Sequence, residues 1–184
     1  MSPIAVIGSQ AGEVALVSTL PDLSDTLSQE LYALIAQQPF FKGLNTEQIQ
    51  LLAFSALEMK FDTGAILFEE GSPANRFYLI LTGRVELSAE MKDRNVIPVQ
   101  TLGPGDDLGW SWLFPPYSMH FTARALEPTT TIFFYGTRLR EQCEQDHELG
   151  YQLTKRIAEV ATQSLRATQR RLMQYIDRHT PEMS

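Results

Sequence analysis

The 184-residue sequence has a single cysteine, Cys143. One thiol can form neither an internal disulfide bond nor a structural zinc site, so neither can stabilise the fold. The three histidines (His120, His147 and His179) are far apart in the sequence and lack the spacing of metal ligands. We therefore expect no metal or haem, and a reduced Cys143 that packs as a small apolar side chain.

Basic residues are also scarce, with 15 Lys and Arg against 22 Asp and Glu and a net charge of −7. An acidic surface repels phosphate backbones, so non-specific binding to nucleic acid has no electrostatic support. Long apolar runs are missing too, since none approaches the ~18 residues that cross a membrane. Residues 1–20 contain no Lys or Arg and are interrupted by Glu13, unlike a signal peptide. These absences predict a cytoplasmic protein.

A catalytic constellation is missing as well. No nucleophile is paired with a base, and the scattered histidines cannot supply the metal cluster of a barrel enzyme. Glu69 and Glu70 are a carboxylate pair, but adjacent residues of a regular strand point to opposite faces. We predict that the chain is not an enzyme.

The residues that are present divide the chain into three parts. Residues 1–23 are apolar but broken by glycine and proline, and we interpret them as an N-terminal tail. After an N-cap at Ser24 or Asp25, leucines at helical spacing predict a helix to about Gln37. Asn45 is expected to cap a second helix. The buried face of that helix is predicted to contain Ile49, Leu51, Leu52 and Leu57.

Residues 58–135 consist of short apolar runs separated by turn sequences. The run at 77–81 is apolar throughout, which is typical of a buried strand, whereas 84–88 alternates as a half-exposed strand does. Residues 129–134 are β-branched and aromatic, which also favours a strand. Turns spaced this regularly predict an all-β sandwich or barrel. With its leading helices, this second part comprises residues 24–136.

The third part, residues 137–184, returns to helix. A short helix over 138–144 leads into a long one from about 148 to 176, roughly 40 Å at 1.5 Å per residue. A helix of that length outreaches a small barrel, so part of it needs another partner. We favour a homodimer through a two-stranded coiled coil with Leu165 in its seam, and the alternative is a helix folded back onto its own barrel.

One segment carries a recognisable pattern. In LFEEGSPANRFYLILTGRVEL, Gly71 and Gly83 bracket the apolar run at 77–80, and tight turns at both glycines are expected to require positive φ. With the sequence PFFKGL at 39–44 and this order of elements, residues 38–176 resemble the cyclic-nucleotide-binding domain family, which includes the bacterial catabolite-activator regulators. The resemblance implies a mainly β fold with flanking helices, namely an antiparallel jelly-roll barrel (double-stranded β-helix) followed by a long C-terminal helix.

The resemblance also locates a phosphate-binding cassette, whose opening aligns with residues 105–114. In the family, backbone N–H groups face the cyclic phosphate, an arginine neutralises it and a glutamate accepts hydrogen bonds from the ribose. This chain has Trp110 at the glutamate position, Met119 at the arginine position and His120 at the neighbouring hydroxyl position. Charge-assisted hydrogen bonds worth about 1.5–3 kcal/mol each are therefore missing.

Two interpretations of this loop stay open. In the first, Trp110 and Trp112 offer stacking faces, Met119 lines an apolar wall, and His120 with the helix N-terminus holds an anion. Together they form a re-tuned pocket for a cyclic nucleotide or other small nucleotide. In the second, the aromatic side chains fill the pocket, and the domain is a ligand-free scaffold for protein interaction. The candidate site residues are Gly109, Trp110, Ser111, Trp112, Met119, His120 and Thr122.

The C-terminal end bears on the choice of partner. In the regulators of this family a helix-turn-helix domain follows the long helix, whereas only residues 177–184 remain here, so we expect no DNA binding by this chain. The long helix also carries a basic cluster, Arg166, Arg170, Arg171 and Arg178. It is interpreted either as a solvated helix face or as a docking site for an acidic partner. The resulting prediction is a dimeric regulatory sensor domain that signals through its long helix to a separate effector protein.

Overall fold

The computed structural model describes residues 23–91 and 95–179. The predicted N-terminal tail therefore lies, apart from Leu23, outside the described residues. The helices of the described ranges are α1 (Leu23–Gln37), α2 (Thr46–Ser55), α3 (Gly136–Gln145) and α4 (His147–His179). The strands are β1 (Ala56–Phe61), β2 (Ile66–Phe68), β3 (Arg76–Thr82), β4 (Val85–Glu90), β5 (Val96–Leu102), β6 (Asp107–Leu108), β7 (Thr122–Ala125) and β8 (Thr129–Tyr135). None of these helices is apolar enough over a sufficient length to span a bilayer.

The strands form two antiparallel four-stranded sheets, ordered β1-β8-β3-β6 and β2-β7-β4-β5. Consecutive strands mostly alternate between the two sheets, as the strands of a jelly roll do. The register places Phe77 opposite Phe134 in the first sheet and Val85 opposite Leu102 in the second. The fold class predicted from the sequence is confirmed.

Alternating side chains of the first sheet divide between two hydrophobic cores. In β3, Tyr78 and Ile80 point into the barrel core between the sheets, whereas Phe77 and Leu79 point into a second core beneath the helices. Members of that second core from the helices are Ile35, Ile49, Leu52, Ala53, Leu139, Leu149, Leu153 and Ile157. Because β3 is buried on both faces, its sequence reads as an uninterrupted apolar run.

The two leading helices follow the prediction in outline and differ in detail. α1 begins at Leu23, so Ser24 and Asp25 lie in its first turn and the predicted N-cap is wrong. Asn45 caps α2 as predicted, because its Oδ1 accepts from the backbone N–H of Gln48 at 2.9 Å while Gln48 Oε1 accepts from Asn45 N–H.

The predicted buried face of α2 is only half right. Ile49 and Leu52 are buried, but Leu51 is exposed. Leu57 is 49% exposed and belongs to β1, because α2 ends at Ser55 and the chain continues as a strand from Ala56. Helical periodicity no longer applies once the backbone is extended, so a leucine at helical spacing ends on the wrong face.

The two glycines that carry the resemblance adopt the expected backbone. Gly71 has φ +78° and Gly83 has φ +88°. At Gly83 the need is twofold, because an added Cβ would also lie 2.4 Å from Thr129 Oγ1. The predicted demand for positive φ is confirmed at both positions.

The long helix α4 has two halves with different surroundings. Leu149, Leu153 and Ile157 in its first half are buried against the rest of the chain. In its second half, Leu165 and Leu172 are 58% and 57% exposed. The first half of the helix therefore packs in the core of its own domain. The second half lies beside β5, and Leu165 and Leu172 form an apolar stripe that the described residues leave largely exposed.

Candidate functional site

The candidate loop, residues 109–121, begins at Gly109, a position where no other residue type fits. Gly109 has φ +89°, and a Cβ at this position would lie 2.3 Å from the backbone oxygen of Arg76. The loop therefore runs directly against β3 before a 3₁₀ turn at Trp110–Trp112. Close backbone approach is a further reason for glycine here besides its left-handed conformation.

Trp110, Ser111 and His120, three of the candidate site residues, lie next to one another. The rings of Trp110 and His120 stack with centroids 5.5 Å apart and planes inclined by 22°. Ser111 Oγ and His120 Nδ1 are joined by a hydrogen bond of 2.8 Å. The two ends of the loop are therefore fastened to each other through one imidazole ring.

Trp112, Met119 and Thr122 have different surroundings. Trp112 is fully buried in the core beneath the helices, where it packs edge-on against Phe77. Met119 is 2% exposed and belongs to the barrel core. Thr122 Oγ1 accepts a hydrogen bond of 3.0 Å from the backbone N–H of Glu70.

The cavity at this loop is small. Its volume is about 20 Å³, and its lining includes Gly109, Trp110, Ser111, Met119 and His120, but not Trp112 or Thr122. A cavity of this size holds about one water molecule, whereas small-molecule sites are about 300–1,000 Å³. The observed conformation is therefore closed, and a nucleotide would require Trp110 or His120 to move.

Arg140 of α3 ties the loop to the helices, a role that the sequence does not reveal. Its guanidinium donates to the backbone carbonyl of Trp112 and lies 4.7 Å from the centre of the Tyr117 ring. Gly136, which begins α3, packs so closely that an added Cβ would lie 2.6 Å from Trp112 Cβ. The loop is therefore in direct contact with α3 at Gly136 and at Arg140.

A buried carboxyl group lies just before the loop. Asp107 of β6 is partly exposed as a residue, yet its Oδ2 is buried and has no hydrogen-bond partner among the described residues. Burial, with a smaller contribution from the nearby charge of Asp106, raises the pKa of Asp107 to about 7. Nothing in the sequence indicates that Asp107 is buried, because the pairing of β6 decides where this side chain points.

Among the residues that the structure describes, no arginine lines the cavity at the loop. Arg124, the nearest arginine in sequence, is exposed on β7 and donates to the backbone carbonyl of Gly64 at 2.8 Å. Within residues 23–91 and 95–179, no three His, Cys, Asp or Glu side chains are grouped as metal ligands would be. Burial raises the pKa of Cys143 to about 11, which describes an unreactive thiol.

A family model described as the cyclic nucleotide-binding domain matches residues 58–146, which include most of β1, the strands β2 to β8, the loop and α3. The CRP-like cAMP-activated global transcriptional regulator of Mycobacterium tuberculosis is 24% identical over 125 residues, which are 68% of this chain and 56% of the regulator. The chain therefore spans about half the length of the curated relatives it matches first.

Solved structures show the same fold. The sensor domain of a transcriptional regulator from Pseudomonas aeruginosa has a TM-score of 0.61 at 22% identity over 85% of this chain and 97% of its own. A protein described as cyclic nucleotide-binding, from Geobacter metallireducens, has a TM-score of 0.64 at 32% identity. That match covers 75% of this chain and 97% of the other. Together with the jelly roll, the two glycine turns and the long C-terminal helix, these matches place the chain in the cyclic-nucleotide-binding domain family, as a regulatory domain of that type.

Proposed function

We propose that this regulatory domain senses a small ligand, a cyclic nucleotide or another small nucleotide, at the loop 109–121. The observation that supports transmission is the link through Arg140, which contacts both Trp112 and Tyr117 in the loop and belongs to α3. α3 is followed by α4 after Asp146 alone, so movement of the loop reaches the long helix through one short connection.

The ligand would enter by opening the closed cavity. Trp110 stacks on His120, and a nucleobase in the place of the imidazole would keep a flat partner on the indole face. Ser111 and His120 would then exchange their mutual hydrogen bond for contacts with the ligand. We assign Gly109, Trp110, Ser111, Met119 and His120 to this site, with Trp112 and Thr122 as its supports.

The same proposal makes α4 a dimer helix. Leu165 and Leu172 are seven residues apart, which is two turns, and both are exposed. A second copy would bury this stripe, and a ligand-dependent change in the paired helices would be read by a separate effector protein. The role is binding and not catalysis, in keeping with the regulatory character of the family.

A thermal-shift titration with cyclic AMP, cyclic GMP and a panel of other nucleotides tests the sensor function. A ligand that binds only the folded form stabilises it by about 2.7 kcal/mol at a hundredfold excess over its dissociation constant. We expect a concentration-dependent rise in Tm with at least one of them. No shift with any nucleotide at saturation would refute the proposal and favour the ligand-free scaffold.

Transmission is tested with a spin label at residue 169, introduced as Gln169→Cys in a Cys143→Ser background. We expect a ligand-dependent change in the distance between the two labels of a dimer. Arg140→Gln should abolish that change without abolishing the Tm shift, whereas Arg138→Gln, an exposed arginine of the same helix, should preserve both. Equal behaviour of the two variants would remove Arg140 from the pathway.

A further inference from the structure

A larger cavity lies between the hairpin of β4 and β5 and the C-terminal half of α4. Its volume is about 470 Å³. Met91, Ile97 and Val99 of the hairpin line one wall, and Arg171 and Leu172 belong to the α4 wall. The cavity is separate from the loop 109–121, none of whose residues line it.

The side chains of residues 23–91 and 95–175 leave this space unfilled. The space is open to solvent on one side, and its apolar walls are therefore accessible to a ligand. The volume falls in the range of about 300–1,000 Å³ that small-molecule sites have. Val99 at its base is buried while Leu172 and Met91 at its edge are exposed, so the apolar surface runs inward from an open rim.

The charge at the rim is positive. From residue 160 to residue 176 the sequence has no Asp or Glu, although the chain as a whole is acidic, and it contains Arg166, Arg170 and Arg171. None of these three forms an ion pair with another described residue. Arg171 lines the cavity, whereas Arg166 and Arg170 do not.

These features decide the class of ligand. The five lining residues of the hairpin are all apolar, and the polar groups of the lining belong to α4, namely those of Thr168, Arg171, Gln174 and Tyr175. A ligand that matches both walls has an apolar body on one side and a polar or anionic group on the other. We propose that the cavity binds an amphipathic monoanion, with its apolar body between the hairpin and α4 and its carboxylate or similar anionic group at Arg171. This site shares no residue with the proposed nucleotide site, so either can fail without the other, whereas Leu172 belongs both to this cavity and to the proposed dimer stripe.

The test compares decanoate with decanol, which share a ten-carbon chain and differ in charge. Calorimetric titration of the full chain should show saturable binding of decanoate. Arg171→Gln should weaken decanoate binding about five-fold, the effect of losing one exposed ion pair, and leave decanol binding unchanged. Arg166→Gln is the matched control, because it removes the same charge from the same helix outside the cavity, and it should not change decanoate binding.

A second variant tests the apolar body of the site. Ala89→Phe places a ring in the cavity opposite Ile97 and should abolish binding of both probes, with circular dichroism verifying the fold. Three results would overturn the proposal: no saturable decanoate binding, equal effects of Arg171→Gln and Arg166→Gln, or wild-type affinity in Ala89→Phe. A dimer dissociated by Ala89→Phe in a protein that does not bind decanoate would instead assign the cavity to a second copy.

Discussion

Ser111 and His120 stand at opposite ends of the candidate loop and are joined side chain to side chain at 2.8 Å, between Oγ and Nδ1. The same imidazole stacks on Trp110, so one ring contributes both the hydrogen bond and the flat contact that close the cavity. The polar side chains of Ser111 and His120 are thus engaged with each other inside the loop. Opening the loop therefore costs at least this hydrogen bond and this stack.

The hydrogen bond can be measured by a double-mutant cycle of Ser111→Ala and His120→Phe. Phenylalanine keeps a flat ring against Trp110 and loses the bond, and alanine removes the other partner. A hydrogen bond of this kind contributes about 1 kcal/mol, so we expect a coupling free energy of that size in urea unfolding. Additive effects of the two substitutions would mean that the bond does not stabilise the folded state in solution.

Asp107 should make the stability fall as the pH rises. Its pKa is raised from 3.8 to about 7 in the folded chain, so between these values the folded state holds a proton that the unfolded state has released. The stability that the folded chain gains from holding this proton is therefore fully present below about pH 4 and is lost as the pH rises through about 7. Its upper limit is about 4 kcal/mol in the free energy of unfolding.

Asp107→Asn should remove this dependence and leave the protein more stable than wild type at pH 8. Urea unfolding between pH 4.5 and 8 measures the effect. Asp62→Asn, at an exposed carboxylate in a turn, is the control and should keep the wild-type slope. A wild-type slope in Asp107→Asn would show that the carboxyl group is hydrated in solution.

Gly71 and Gly83 offer a matched pair for separating backbone strain from steric overlap. Alanine at Gly71 meets no atom within 4 Å and should cost about 1–2 kcal/mol, the cost of positive φ for a residue with a Cβ. Alanine at Gly83 has the same cost of positive φ, and its Cβ would also lie 2.4 Å from Thr129 Oγ1. We therefore expect a larger loss of unfolding free energy than at Gly71. Equal free energies of unfolding for the two variants would contradict the steric argument.

Leu165→Asp should dissociate the proposed homodimer. A carboxylate in an apolar seam loses its hydration without gaining a partner, which we expect to weaken association at least tenfold. Analytical ultracentrifugation over a range of concentrations measures this, and Gln163→Asp, an exposed position away from the stripe, serves as the control. Sedimentation of Leu165→Asp like the wild type would place the interface elsewhere.

Local features of the fold were predictable from the sequence because their causes are local. The cap at Asn45 depends on residues three positions apart, and positive φ at Gly71 and Gly83 follows from the turns that they occupy. The uninterrupted apolar run in β3 indicates burial on both faces wherever the strand is placed. Leu57 was predicted to be buried from its helical spacing, but α2 ends at Ser55 and Leu57 lies in β1, so helical spacing does not apply to it.

The candidate site was predictable only in part. The resemblance to the family indicated which loop residues to consider, and Trp110, Ser111 and His120 are in contact in the structure. The burial of Trp112 and Met119 in two different cores depends on how the sheets and helices pack, and periodicity contains no information about that. The contacts of Arg140 with Trp112 and Tyr117 join segments more than twenty residues apart, for which the sequence has no marker.

The sequence by itself determined the class of the domain and the order of its elements, since each depends on residue type and near neighbours. The tertiary structure decided that the loop is closed, that α4 packs on its own domain over its first half and presents Leu165 beyond it, and that Asp107 is buried. It also decided that a cavity opens at Arg171, because cavities and burial arise from the packing of segments that are distant in the chain.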